Sequence, residues 1–258
     1  MTKIKVTEFN IDTAKTRESF SLALLSDLHG YDDIHLADMV HDVRVDFVIF
    51  CGDMINYYTE SRDIIKRTAR IMNAIEGRKI FVMGNHEKRL DKGLLEYFLD
   101  LIDSNGTQML KNEFIDVSDC TRIYGLDIGI EYYKNALKGI KKHLTKETVR
   151  RYIGSADVDK FNILLAHNPL YFKEYAQWGA DLTLSGHVHG GIIGIGKMGK
   201  RGLLSPERVF FPQYCAGEYS LDDKKLIVSR GISNGTLHLR INNPSEIVVI
   251  HINKQNRK

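Results

Sequence analysis

Cysteine is scarce in this sequence. The three that occur, Cys51, Cys120 and Cys215, lie far apart, are odd in number and form no C-x-x-C pair. That excludes a disulfide framework and predicts three reduced thiols in a reducing, cytoplasmic compartment. Long apolar runs are missing, so no bilayer span is expected. Residues 1–20, MTKIKVTEFNIDTAKTRESF, hold no apolar h-region, so no signal peptide is expected either. Excess charge of one sign is also absent. A net charge of +3 gives no footprint for nucleic acid, and no nucleic-acid partner is expected. There is no repeat, low-complexity stretch or linker, so residues 1–258 are read as one domain. A chain of that length buries a substantial core without staples.

What is present is alternation. "FSLALLSD" (20–27), "DFVIFCGD" (46–53) and "KIFVMGNHE" (79–87) each read as a buried strand running into polar residues. Helix-like segments lie between and after them: "DDIHLADMVHDV" (32–43), "SRDIIKRTARIMNAIEG" (61–77) and "KGLLEYFLDLIDSNG" (92–106). The second starts near a serine and ends at a glycine, as helix caps prefer. Strands alternating with helices predict β-α-β units and a mostly parallel sheet, hence an α/β fold. "NEFIDVSDCTRIYGLDIG" (112–129) reads as a hairpin, and "YYKNALKGIKKHLTKETVRRYIGS" (132–155) as a basic, solvated helix. "FNILLAHNP" (161–169) and "ADLTLSGHVHGG" (180–191) resume the strand pattern around a short helix, 170–179. The tail 224–254 alternates apolar and polar residues and predicts antiparallel strands.

The polar residues then fall into place. Asp27 and His29 follow the first strand, Asp53 the second, and Asn85 and His86 the third; His167, His187 and His189 follow the two later ones. Each alone has an ordinary explanation. An aspartate at a strand end usually caps the next helix, and Gly-Asn is usually a turn. An isolated H-x-H such as His187 and His189 is usually packing or surface. Yet all five segments share the C-terminal edge of a sheet, where α/β folds bind ligands.

Two aspartates, an asparagine and four histidines exceed the needs of one tetrahedral ion. They suit two divalent ions bridged by a carboxylate. Mixed nitrogen and oxygen ligands without thiolate point to Mn, Fe, Zn, Ni or Mg. Ions about 3.5–4 Å apart clamp the attacking and leaving oxygens of a phosphoryl displacement.

The order D-x-H, G-D, G-N-H-E, H-N-P, G-H-x-H resembles the calcineurin-like metallophosphoesterase superfamily. The resemblance implies a four-layer α/β/β/α sandwich of two mixed sheets flanked by helices, the metallo-dependent phosphatase fold. It implies Asp27, His29 and His189 on one metal, Asn85, His167 and His187 on the other, and Asp53 between them. It implies His86 as the catalytic acid outside the ligand shell. It also implies a hydroxide held between the metals as nucleophile, with no phospho-enzyme. "GLLSPERVFFPQYCAGEYS" and "LIVSRGISNGTLHLRINNPSEIVVI" further resemble the YkuE-like branch, whose members are often membrane-associated or exported and in some cases act on lipid-linked phosphoesters. From these residues their N-terminal signal or anchor is not expected here.

Two more features bear on substrate. The loop 190–204, "GGIIGIGKMGKRGLL", suits either an apolar, anionic substrate or membrane surface, or a flap packed on the protein itself. Arg230 is read as a phosphate contact or as an ordinary surface ion pair. The expected activity is hydrolysis of phosphomonoesters or phosphodiesters. The alternatives are a pyrophosphatase acting on a nucleotide- or lipid-linked diphosphate and a non-catalytic scaffold of the same fold. All ligand positions and His86 are filled, which argues against the scaffold.

Overall fold

The alternation of strands and helices is realised as two sheets. The protein is seen in a computed structural model that describes residues 4–58, 61–133, 142–191, 193–195, 201–203, 211–233 and 240–255. The first sheet holds β1 (Lys5–Thr13), β2 (Phe20–Leu25), β3 (Phe47–Cys51), β4 (Arg78–Val82), β5 (Thr107–Met109) and β14 (Glu246–Lys254). Its order is β1-β14-β2-β3-β4-β5. From β2 to β5 the strands are parallel, while β14 runs antiparallel to β2.

The second sheet holds β6 (Glu113–Ser118), β7 (Thr121–Gly125), β8 (Phe161–Leu165), β9 (Leu182–Ser185), β12 (Gly217–Leu221) and β13 (Lys224–Val228), in the order β12-β13-β9-β8-β7-β6. Its four inner strands are parallel and its two edges antiparallel. A two-stranded ribbon, β10 (Gly194–Ile195) with β11 (Arg201–Gly202), stands apart.

The period-2 alternation of strand side chains decides the layers. Leu24, Ile49 and Ile80 lie side by side in register on one face of the first sheet. They pack against Leu165, Leu184 and Ile227, a matching row on the second. The opposite face of the first sheet, with Leu25, Phe50 and Phe81, is covered by α1 (His35–Asp42), α2 (Arg62–Ala74) and α3 (Lys92–Asp103). The outer face of the second, with Tyr124 and Leu164, is covered by α4 (Lys146–Ile153) and α5 (Phe172–Trp178). The result is the expected α/β/β/α sandwich of two mixed sheets. Among the described residues no helix is long and apolar enough to cross a membrane.

Local signals set several boundaries. Ser61 begins α2 by accepting a bond from the Asp63 amide at 3.2 Å, the N-cap that its position predicts. The helix expected over 132–155 is shorter. Thr145 caps α4 by accepting from the Thr148 amide at 3.2 Å, so the helix starts at Lys146. Tyr132 closes a separate one-turn helix, Ile130–Tyr132, and residues 134–141 lie outside the described residues. The tail also differs from expectation. β13 and β14 do not pair with each other. β13 lies parallel to β9 in the second sheet, and β14 crosses to the first, where it is parallel to β1 and antiparallel to β2.

The row between the sheets is fully enclosed, and Leu184 is 0% exposed. Leu184→Ala is expected to destabilise the protein by about 2–5 kcal/mol, through lost transfer energy and the cavity left behind. Chemical denaturation of the two proteins measures it.

Candidate metal centre

The loops after β2, β3 and β4 on one sheet, and after β8 and β9 on the other, meet at one end of the sandwich. Backbone bonds continue beyond the strands and fix them there. Asp27 N donates to Gly52 O at 3.0 Å, His29 N to Asp53 O at 3.0 Å, and Gly186 N to His167 O at 3.1 Å. Asp27, Asp53, Asn85, His167, His187 and His189 are all buried. All eight residues expected at the centre therefore come from loops at that end.

Their ligand atoms fall into overlapping groups, each within 4.8 Å: Asp27 with His29 and His189; His29 with Asp53 and His86; Asp53 with His167 and His187. His29 and His189 bring their Nε2 atoms to 3.0 Å, and His189 Nε2 lies 3.4 Å from Asp27 Oδ1. His167 donates from Nδ1 to the Cys51 carbonyl at 2.6 Å, which turns Nε2 towards Asp53 Oδ2 at 3.0 Å. Such an outer bond fixes both the tautomer and the orientation of a ligating imidazole. Among the described residues the buried Asn85 side-chain oxygen has no hydrogen-bond partner, an acceptor that a cation would satisfy. The donor set therefore fits divalent metal.

Electrostatics of the polypeptide alone agree. Burial pushes the Asp27 carboxyl up, with His167 opposing. Burial works the same way on Asp53, but His167, His86 and His29 together hold it well below the usual carboxylate range. Burial lowers His29 to about 3, and burial also holds His189 well below its ordinary value, with His29 and Arg240 adding to it. His29 and His189 are thus the neutral imidazoles a cation requires, whereas at His167 burial is outweighed by Asp53, which raises it to about 9.

The backbone here is strained. Asp27, His29, Asp53, His187 and His189 have φ of 55°, 46°, 58°, 72° and 52°, in the left-handed region. Each such residue costs on the order of 1 kcal/mol or more, and such strain gathers at functional sites. Close approach explains two of the motif glycines. A Cβ at Gly84 would stand 2.2 Å from Asp53 Oδ1, and one at Gly186 2.6 Å from Asp27 Oδ2.

The last of the expected residues, Arg230, belongs to none of the groups. It is buried, its Nε lies 3.5 Å from Glu246 Oε2, and it lines a cavity of about 690 Å³ with Lys5, Phe9 and Tyr219. The ion pair is thus present, but inside the protein rather than on its surface. Of the loop 190–204, residues 192, 196–200 and 204 lie outside the described residues, and the expected membrane or substrate contact falls largely on them.

Sequence reasoning passed over Glu87. It is 0% exposed and accepts from Asp53 N at 2.8 Å, Gly84 N at 2.8 Å and Ile55 N at 3.0 Å. It ties the Asp53 loop to the loop that carries Asn85 and His86. Burial, helped by Asp53, raises its carboxyl to about 7 against those three bonds. The signal was its place in "GNHE", directly after His86. Tyr57 was passed over too; its ring lies 4.9 Å from that of His86.

Residues 20–191 match the family model described as calcineurin-like phosphoesterase. The chain belongs to that family. With its Asp and His clusters it is a metal-dependent phosphoesterase, a hydrolase of phosphoesters. An uncharacterized metallophosphoesterase of Aquifex aeolicus is 24% identical, over 96% of this chain and 92% of that protein. The uncharacterized metallophosphoesterase YkuE of Bacillus subtilis is 25% identical, over 93% and 81%. Among solved structures, the Haemophilus influenzae NAD nucleotidase superposes with a TM-score of 0.52 at 14% identity, over 83% of this chain. The match covers 45% of the nucleotidase, and it supports the fold alone.

Glu87→Gln would replace one of the two acceptor oxygens with a donor facing a buried N–H. A loss of about 1–3 kcal/mol is expected, with weaker metal retention because Asp53 is no longer held. Thermal melting and elemental analysis of the variant read both.

Proposed function

We propose that the phosphoesterase is dinuclear. Asp27, His29 and His189 would hold one divalent ion, Asn85, His167 and His187 the second, and Asp53 both. The observation that carries this is the placing of Asp53. It belongs to two groups of potential ligands, one with His29 and His86 and one with His167 and His187, while Asp27, His29 and His189 form a third. When bound, such a pair supplies Lewis-acid stabilisation of phosphoryl charge and brings water to ionise near neutral pH.

The chain's own residues would do the rest. Glu87 keeps Asp53 in place through its backbone. Cys51, by its carbonyl, keeps His167 turned inward. His86 is the catalytic candidate. Its side chain is 12% exposed, against 2% for Asp53, and its Nε2 lies 3.9 Å from Asp53 Oδ2. From there it would give a proton to the leaving oxygen or stabilise charge on the phosphoryl group. Arg230 would remain a phosphate contact beside this centre, its Nε 3.5 Å from Glu246 Oε2. Phosphomonoesters and phosphodiesters are the proposed substrates, and the match to the Aquifex protein over nearly the whole of both chains supports one catalytic unit across residues 1–258.

Elemental analysis tests the reading first, paired with turnover after metal is stripped and Mn, Zn, Ni, Fe or Mg is added back. The substrates are p-nitrophenyl phosphate, its bis-ester, cyclic nucleotides, nucleotide diphosphates and a glycerophosphodiester. Close to two ions per chain and metal-dependent turnover are expected; one ion per chain would overturn the dinuclear assignment. Asp53→Asn is expected to abolish turnover and lower the content of both ions. Near-normal turnover in that variant would remove the shared carboxylate from the account. His86→Ala is expected to keep its metal and lose about 10²–10⁴-fold in rate; a metal-depleted His86→Ala would make it a ligand instead.

A further inference from the structure

Arg240 stands between two loops of the metal centre. On one side are residues 230–233, which lie against Asp27: Ile232 N donates to Ser26 O at 3.1 Å and Ser233 N to Asp27 O at 3.0 Å. On the other is the loop that carries His189. Gly194 N donates to Ile241 O at 2.8 Å, Ile193 bridges to Ile241, and Asn243 Nδ2 donates to the His189 carbonyl at 2.6 Å.

The Arg240 guanidinium spends part of its donors on carbonyls of the first loop. Nε donates to Ser233 O at 3.1 Å, and Nη2 to Arg230 O at 2.8 Å, to Gly231 O at 3.3 Å and to Ser233 O. Among the described residues the buried Nη1 has no hydrogen-bond partner. Among the described residues no carboxylate forms an ion pair with Arg240. The neighbouring Glu246 is engaged by Thr7 Oγ1, by the Arg230 amide and by Arg230 Nε. A guanidinium with buried N–H groups unspent is costly unless an anion meets it. Planar, charged and forked, it is the side chain best suited to phosphate oxygens.

We propose that Arg240 is an anion-binding residue of this site, its Nη1 donating to a non-bridging phosphoryl oxygen of the substrate beside Asp27 and His189. This rests on the hydrolase reading above. It also gives the carbonyl bonds a purpose: they fix Nε and Nη2 and leave Nη1 for another acceptor. The geometry already brings Arg240 to this place, since it bonds the carbonyls of residues 230, 231 and 233, and Ser233 N in turn donates to Asp27 O.

Binding of inorganic phosphate to the metal-loaded full chain, followed by calorimetry, tests this apart from turnover. Arg240→Met is expected to weaken phosphate binding roughly 10- to 100-fold, the effect of losing a charge-assisted hydrogen bond, with metal content unchanged. Arg240→Lys guards against a variant that fails to fold. Its ammonium can replace the bonds to the carbonyls but brings no second arm, so phosphate binding is expected to fall there too. For the phosphoester that turns over best, KM should rise in Arg240→Lys more than kcat falls. Wild-type phosphate affinity in either folded variant would overturn the proposal, and so would a wild-type protein that binds metal but no phosphate. If phosphate binds in an Arg240-dependent way and no phosphoester is turned over, the hydrolase reading fails and the anion contact stands.

Discussion

Two carboxylates, Asp27 and Asp53, are buried within reach of one imidazole: His167 Nε2 lies 3.9 Å from one and 3.0 Å from the other. Burying two like charges together is unfavourable unless positive charge or ligating cations offset it. The rest of the site is arranged around that problem. Imidazoles converge on the carboxylates, backbone amides point at them, and Arg240 and Lys88 supply formal charge nearby. His187 N reaches both Asp27 oxygens at 3.1 Å, and His86 N reaches Asp53 Oδ1 at 2.7 Å. Lys88, lowered to about 8 by burial, is paired with Asp127 at the edge of the same region. A bound cation would complete the same balance.

That arrangement needs two sheets rather than one. Asp27, Asp53 and Asn85 come from one sheet, and His167, His187 and His189 from the other, so neither sheet brings all the candidate ligands. The apolar rows of Leu24, Ile49 and Ile80 against Leu165, Leu184 and Ile227 therefore do more than stabilise. They fix the separation of the two halves of the site. The strain in the left-handed residues is held by the same packing, because the loops that carry them continue the pairing of buried strands.

Much of this was legible in the residues. Strand-length apolar runs ending in Asp, Asn or His announced both the sheets and the edge at which the ligands meet. The eight residues expected at the centre are gathered there. Long periodic segments such as residues 61–77 were readable because cap and pattern agree in them. Residues 132–155 were less so. Their basic composition is compatible with a helix, yet Thr145 offers its side chain to an amide and starts the helix late. The tail was misread for another reason. Alternation identifies a strand but not its neighbour, and β13 and β14 part company into different sheets. Glu87 was hidden in a motif whose better-known members drew the eye, although its role is to hold three amides.

The sequence by itself determined the chemistry of the site: which ligand types are present, that thiolate is not among them, and the order in which strands deliver them. Side-chain identity and period-2 burial are local properties, and they survive without coordinates. Tertiary structure decided which histidine approaches which carboxylate, which backbone angles are strained, and which arginine is satisfied. Arg230 and Arg240 look alike as text, ten residues apart in one tail. The packing of β14 sets Glu246 against the first, while among the described residues an arm of the second has no partner, because ion pairing depends on distance in space and not along the chain.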